Sequence, residues 1–220
     1  VTFKGWNDAA LDFYTGLEAD NSKTYWHAHK DVYDSEVKAP FLALSELVRR
    51  EFGPLHLFRP NRDTRFAKDK SPYKTAAAAV TEGKGGTGYY VQVSAEGLYV
   101  GSGYYMLAPD QLERYRKAVA DSRKGAPLAT AVDALRKKKY NVAAHDELKR
   151  VPRGFDADHP RAELLKMKGI HVGRQFAPAR WLGTRAAYDR IVDTWRAAAP
   201  VNRWLDKHVG PSTQAPPEPD

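Results

Sequence analysis

Cysteine is absent from the 220 residues of this chain, and methionine occurs only twice. Without thiols there are no disulfides, no thiolate metal sites and no cysteine nucleophile, while the redox compartment stays open. Long apolar runs are also missing. None approaches the roughly 20 residues that cross a bilayer, and the opening VTFKGWNDAALDF lacks the basic region and apolar stretch of a signal peptide. The expectation is a protein with no membrane association, located in the cytoplasm. The seven histidines show no metal-ligand spacing. His27 and His29 are two apart on a helical stretch and point to different faces, whereas a helical zinc pair needs a spacing of four. Neither a metal nor a cofactor is expected.

Familiar catalytic motifs fail in their context. GKGGTG at 83–88 satisfies G-x-G-x-x-G literally, but the strand-like YYVQV follows it where a dinucleotide fingerprint needs a helix. A hairpin loop is the simpler reading. Ser102 lacks the G-x-S-x-G elbow of a hydrolase, and its neighbours Gly101 and Gly103 suit close backbone approach or sheet curvature.

What the sequence does have is positive charge, unevenly spread. The formal net charge is +8. Residues 1–58 carry 6 Lys/Arg against 9 Asp/Glu, residues 59–74 carry 6 against 2, and residues 75–220 carry the remaining 23 against 16. The local net charges are therefore −3, +4 and +7, so the basic character begins abruptly at residue 59. Such a face steers phosphates, nucleic acids or acidic small molecules toward it.

Periodicity predicts a helix from the cap Asn7 through Leu11, Tyr14 and Leu17. A longer helical stripe follows at Trp26, Tyr33, Val37, Phe41, Leu44 and Val48. Pro40 interrupts it, which predicts two helices or one kinked helix ending near Gly53. LHLF at 55–58, TAAAAV, YYVQVSA and LYVGSGYYM read as strands, too closely spaced for helical crossovers and so antiparallel. Helices return at Pro109–Asp121 and around Leu128, Val132 and Leu135, with RKKKY at 136–140 as a charged helix end. IHVGRQF at 170–176 alternates like a strand. A final helix from Thr184 is expected to break or bend at Pro200. These elements predict a single α+β domain over residues 1–206, a mainly antiparallel sheet packed against several helices, with a disordered proline-rich tail at 207–220.

The stretch RDTRFAKDKSPYKT, Arg62 to Thr75, concentrates the chemistry. Arginine grips carboxylate or phosphate with two parallel hydrogen bonds, lysine adds a point charge, and Tyr73 offers a hydroxyl. Arg62, Arg65, Lys70, Tyr73 and Lys74 are the candidate anion-binding residues, and Asp63 and Asp69 the candidate bases of an enzyme. A competing reading has Asp63 paired with an arginine, so that the motif only locks the fold. A nucleic-acid module using the basic face is a further alternative, less favoured than an anionic small-molecule partner. The residues do not fix the oligomeric state.

This stretch, extended to FRPNRDTRFAKDKSPYKT, resembles the hallmark of a bacterial family known as domain of unknown function 2461. DNSKTYWHAHKDVYDSEVKAP resembles that family's aromatic-and-proline helical segment, with Ser22 where a second asparagine is expected. GYYVQVSAEGLYVGSGYYMLAPDQLERYR resembles its strand pair and following helix, and LKRVPRGFDADHPRAELLKMK its later basic element. Together these cover most of Phe3 to Leu205. The resemblance implies an α+β domain of no established activity. It also adds a second basic element, Lys149, Arg150, Arg153, His159, Lys166 and Lys168, of which Lys149 and Arg150 are the candidate anion ligands.

Overall fold

A computed structural model describes residues 2–65, 68–82 (for Glu82, the backbone) and 86–214. Asn7 opens the first helix as its composition requires: its side chain accepts from the Ala10 amide at 3.3 Å, and α1 runs Asp8–Ala19. Ser22 caps α2 (Lys23–Ala28) in the same way, accepting from the Tyr25 amide at 3.1 Å. The long stripe then continues through α3 (Lys30–Val32), a π-helical turn (Tyr33–Lys38) and α4 (Ala39–Phe52), ending at Gly53. Pro40 explains the wide turn. In α geometry its ring would press on the carbonyl four residues back, and bonding at a spacing of five, as from the Ala39 amide to Asp34 O, opens the turn at that point.

Six strands form an antiparallel sheet: β1 (His56–Leu57), β2 (Ala76–Glu82), β3 (Gly88–Ser94), β4 (Gly97–Tyr104), β5 (Asn141–Ala143) and β6 (Ile170–Phe176), in the order β1-β2-β3-β4-β6-β5. His56 faces Val80 across the first pair, and Val142 faces Val172 across the last. The fold is α+β, as the sequence predicts. Residues 83–85 of the glycine-rich stretch lie outside the described residues, but β2 and β3, which flank it, are neighbours in the sheet. Gly103 has φ 147 and lies so near the Ile170 carbonyl oxygen that any Cβ would collide with it, the close approach expected there.

The chain divides into two compact units, residues 1–81, 90–100 and 175–193 in one, and 82–89, 101–174 and 194–220 in the other. An aromatic chain fills the first. Trp6 lies between Phe3 (5.3 Å) and Phe41 (4.8 Å), and Phe13 contacts Trp26 and Tyr33 at 5.7 Å each. Aliphatic side chains dominate the second: Val119 of α5 (Pro109–Ala120), Leu128, Val132 and Leu135 of α6 (Ser122–Lys137), Leu165 of α7 (Ala162–Lys166) and Val172 of β6 share one core with Val201 and Leu205 of α8 (Ala186–His208).

Two expectations change here. Pro200 does not break the last helix, because the buried stripe Trp195, Ala198, Val201, Trp204 and Leu205 carries α8 past an exposed proline. The ordered chain also extends beyond residue 206. α8 reaches His208, and Arg114 of α5 donates to the carbonyls of Val209 (2.6 Å) and Pro211 (2.8 Å), while Asp110 accepts from the Ser212 hydroxyl and the Thr213 amide. Residues 215–220 of the expected tail lie outside the described residues. Among the described residues no helix is long and apolar enough to cross a membrane.

Candidate functional site

Arg59 to Lys74 folds back on itself within the first unit. The Arg62 amide donates to Pro72 O at 2.9 Å and the Lys74 amide to Pro60 O at 2.8 Å, closing an antiparallel bridge at Asn61 and Tyr73. What anchors this hairpin comes from far away in sequence. Asn21 grips the backbone of Tyr73 at both ends: its amide nitrogen donates to Tyr73 O at 3.1 Å, and its oxygen accepts from the Tyr73 amide at 3.0 Å. The buried Tyr73 ring lies flat on Trp26, with centroids 4.4 Å apart and planes 10° from parallel. Asn21 and Trp26 thus supply a strand-like neighbour and a stacking partner for the motif.

Both aspartates are engaged twice. Asp63 accepts from the Arg65 amide at 3.2 Å and from its guanidinium at Nε (3.1 and 3.3 Å) and Nη2 (2.7 Å). Asp69 accepts from the Ser71 amide at 2.9 Å and pairs with Arg62. Each carboxylate therefore caps its own turn while holding an arginine. The hydrogen bonds from Arg65 hold Asp63 at about 2, below the ordinary carboxylate value, with a smaller contribution from the charge of Arg59. Asp69 is lowered chiefly by its bonds to Ser71.

Lys70 donates to Thr64 O at 2.9 Å, which ties the two arms of the loop together. Lys74 differs from the other cations. It is half-buried, its ammonium sits 5.4 Å from the centre of the Phe58 ring, and no carboxylate pairs with it among the described residues. Burial lowers its pKa first, and the charges of Arg59 and Arg62 lower it further. The charges of Arg59 and Arg62 thus act together on a partly desolvated ammonium. Arg59 belongs to the basic run in the sequence, but its place beside Lys74 depends on the fold.

The second basic element lies in the second unit, between β5 and the end of α7 and just beyond. Lys149, Arg150 and Arg153 are exposed there. Lys168 pairs with Asp146, and His159 Nδ1 accepts from the Arg161 amide at 3.0 Å. Arg161 in turn donates to Val119 O (2.6 Å) and Ala120 O (3.1 Å), satisfying the carbonyls that end α5. Among the described residues no three histidine, aspartate or glutamate side chains gather as a metal-ligating set.

A family model described as "Conserved hypothetical protein (DUF2461)" matches residues 9–204. No curated protein and no solved structure matches the chain.

Proposed function

The chain belongs to the DUF2461 family, a membership that supplies no activity, and we propose from the hairpin geometry that the protein binds a phosphate- or carboxylate-bearing small molecule at Arg59, Arg62 and Lys74. The carrying observation is Lys74: a half-buried ammonium over the Phe58 ring with no acidic partner among the described residues, its pKa lowered by burial and by the charges of Arg59 and Arg62. Like charges held together in a partly desolvated place are costly, and an oxyanion between them turns that repulsion into attraction. Arg65 and Lys70 shape the loop through Asp63 and Thr64 O, and Tyr73 fixes it to Trp26. Binding is better supported than proton abstraction. A carboxylate held at about 2 by a forked arginine is a weak base at neutral pH, which argues against Asp63 in that role.

The structural-lock reading rests on the Arg62–Asp69 and Arg65–Asp63 pairs. The second pair weighs against that reading, since Arg65 is 77% and Asp63 45% accessible and solvent screens them, whereas Arg62 is 28% accessible. Thermal unfolding in phosphate against chloride at matched ionic strength tests the proposal. Ligand at about 100 times its Kd stabilises by about 2.7 kcal/mol. Phosphate or a phosphorylated metabolite is expected to raise the Tm of the native chain and to lose that effect in Lys74→Ala and Arg59→Ala, with Arg65→Ala close to the native response. Large losses of stability in Arg65→Ala and Asp63→Ala, with no response to any anion, would establish the lock instead.

A further inference from the structure

The second unit contains an open surface groove of about 520 Å³ where α6 begins and α8 ends. Arg123 and Lys124 line it from the first turn of α6, and Arg203, Lys207 and His208 from the last turns of α8. Trp204 and Pro127 complete the wall. Trp204 sets the spacing, since its indole N–H donates to Lys124 O at 2.7 Å and its ring lies 5.1 Å from that of His208. No carboxylate lines the groove. Asp121 is the nearby acid: one of its oxygens accepts from the Arg123 and Lys124 amides at 2.9 Å each, capping α6, and its charge offsets part of theirs. Among the described residues none of Arg123, Lys124, Arg203 and Lys207 has an ion-pair partner.

We propose that this groove binds an oligophosphate group, two or more linked phosphoryl units, carried by a nucleotide or present as the free inorganic chain. The number of charges selects the ligand. One phosphoryl group carries roughly −1.5 to −2, short of the net of about +3 that four permanent cations and Asp121 leave, and a second unit supplies the rest. The volume lies within the roughly 300–1,000 Å³ of small-molecule sites. Lysine and arginine together suit phosphate oxygens as point charge and planar fork. The phosphate chain is the recognised part, because Trp204 is only 6% exposed and spends its N–H on Lys124, leaving little ring for a base to stack upon. This inference is independent of the hairpin site.

Titration calorimetry of the full chain with tripolyphosphate, ADP and ATP at near-physiological salt is the test. Tripolyphosphate is expected to bind, and Arg203→Ala combined with Lys207→Ala to weaken it at least tenfold while leaving the unliganded melting curve in place, since both side chains are exposed. Lys74→Ala is expected to leave this binding unchanged, which separates its failure from failure of the hairpin site. ATP and tripolyphosphate binding alike identifies the free chain as sufficient; ATP binding tenfold more tightly identifies the nucleotide as the source. The proposal is overturned if none of the three binds, if binding ignores the double substitution, or if single-stranded oligonucleotides bind more tightly than tripolyphosphate with an affinity that grows with length.

Discussion

The hairpin in the first unit and the groove in the second are both strongly basic, yet they treat their charge in opposite ways. In the hairpin Arg62 and Arg65 each hold an aspartate from the same short loop, leaving Arg59, Lys68, Lys70 and Lys74 as the excess. In the groove four cations line one open surface, and the neighbouring acid caps a helix while offsetting part of their charge. A dense basic motif in sequence carries its own neutralising acids, because residues close along the chain are free to pair. Cations that arrive from helices some 80 positions apart bring no such partners. Among the described residues the quieter region in sequence therefore gathers as many unpaired cations, four, as the conspicuous one.

Removing the aromatic anchor of each region gives the largest expected effect. Tyr73→Ala strips the hairpin from Trp26, and Trp204→Ala opens the groove and removes the indole bond to Lys124 O; each is expected to cost about 3–5 kcal/mol in denaturant unfolding. A far smaller loss for Tyr73→Ala would mean that the hairpin is held by its charges after all. Next comes a test of sign. Lys124→Glu places an acid in the first turn of α6 among unpaired cations, and is expected to stabilise the unliganded protein by roughly 0.3–1 kcal/mol while abolishing tripolyphosphate binding. Destabilisation would show that the groove's charges do not repel.

Protonation sharpens the comparison further. Burial lowers His208 below the ordinary imidazole value, and Lys207 and Lys124 lower it more, with Asp121 opposing. A depressed imidazole contributes stability above its unfolded value of 6.5, lost as pH falls through that value and toward the folded one. Tripolyphosphate in the groove should raise the His208 midpoint in an NMR titration, and an unmoved midpoint would place the ligand elsewhere. The smallest effect belongs to Asp63. Its folded value of about 2 lies below the ordinary 3.8, so its contribution is present above 3.8 and is lost as pH falls from there toward 2. Asp63→Asn should flatten the acid limb of a Tm–pH profile in that window and lower the Tm slightly and evenly above it, neutral pH included.

Much of the fold was legible because periodicity marks long elements. The cap at Asn7, the stripe from Trp26 to Val48 and the strand Ile170–Phe176 all follow from spacing and residue type. β5, with three residues, and α7, with five, are too short for any period to register. Pro200 misled because local propensity yields to the buried stripe beneath it. At the hairpin, Arg62 and Lys74 were visible in the basic run, and so was the pairing of Asp63 with an arginine, although a turn closed by the Arg65 amide makes that pair. Asn21 was not visible as the clamp on Tyr73, since a fork across 52 positions leaves no local trace. The groove stayed hidden for the same reason, each contributing helix end looking like ordinary solvated charge.

The wide turn before Pro40 sets an order on how this chain can change. A π turn holds one residue more than an α turn, so deleting a single residue such as Ser35 could restore a regular helix through Tyr33–Lys38. With Pro40 in place, that repair would push the proline ring into a tightened helical interior at a cost of about 3 kcal/mol. Pro40→Ala removes the obstruction first and leaves the spare residue harmless. The two features are thus coupled: losing the proline first is the less costly order, and losing the extra residue first carries the full penalty of the proline.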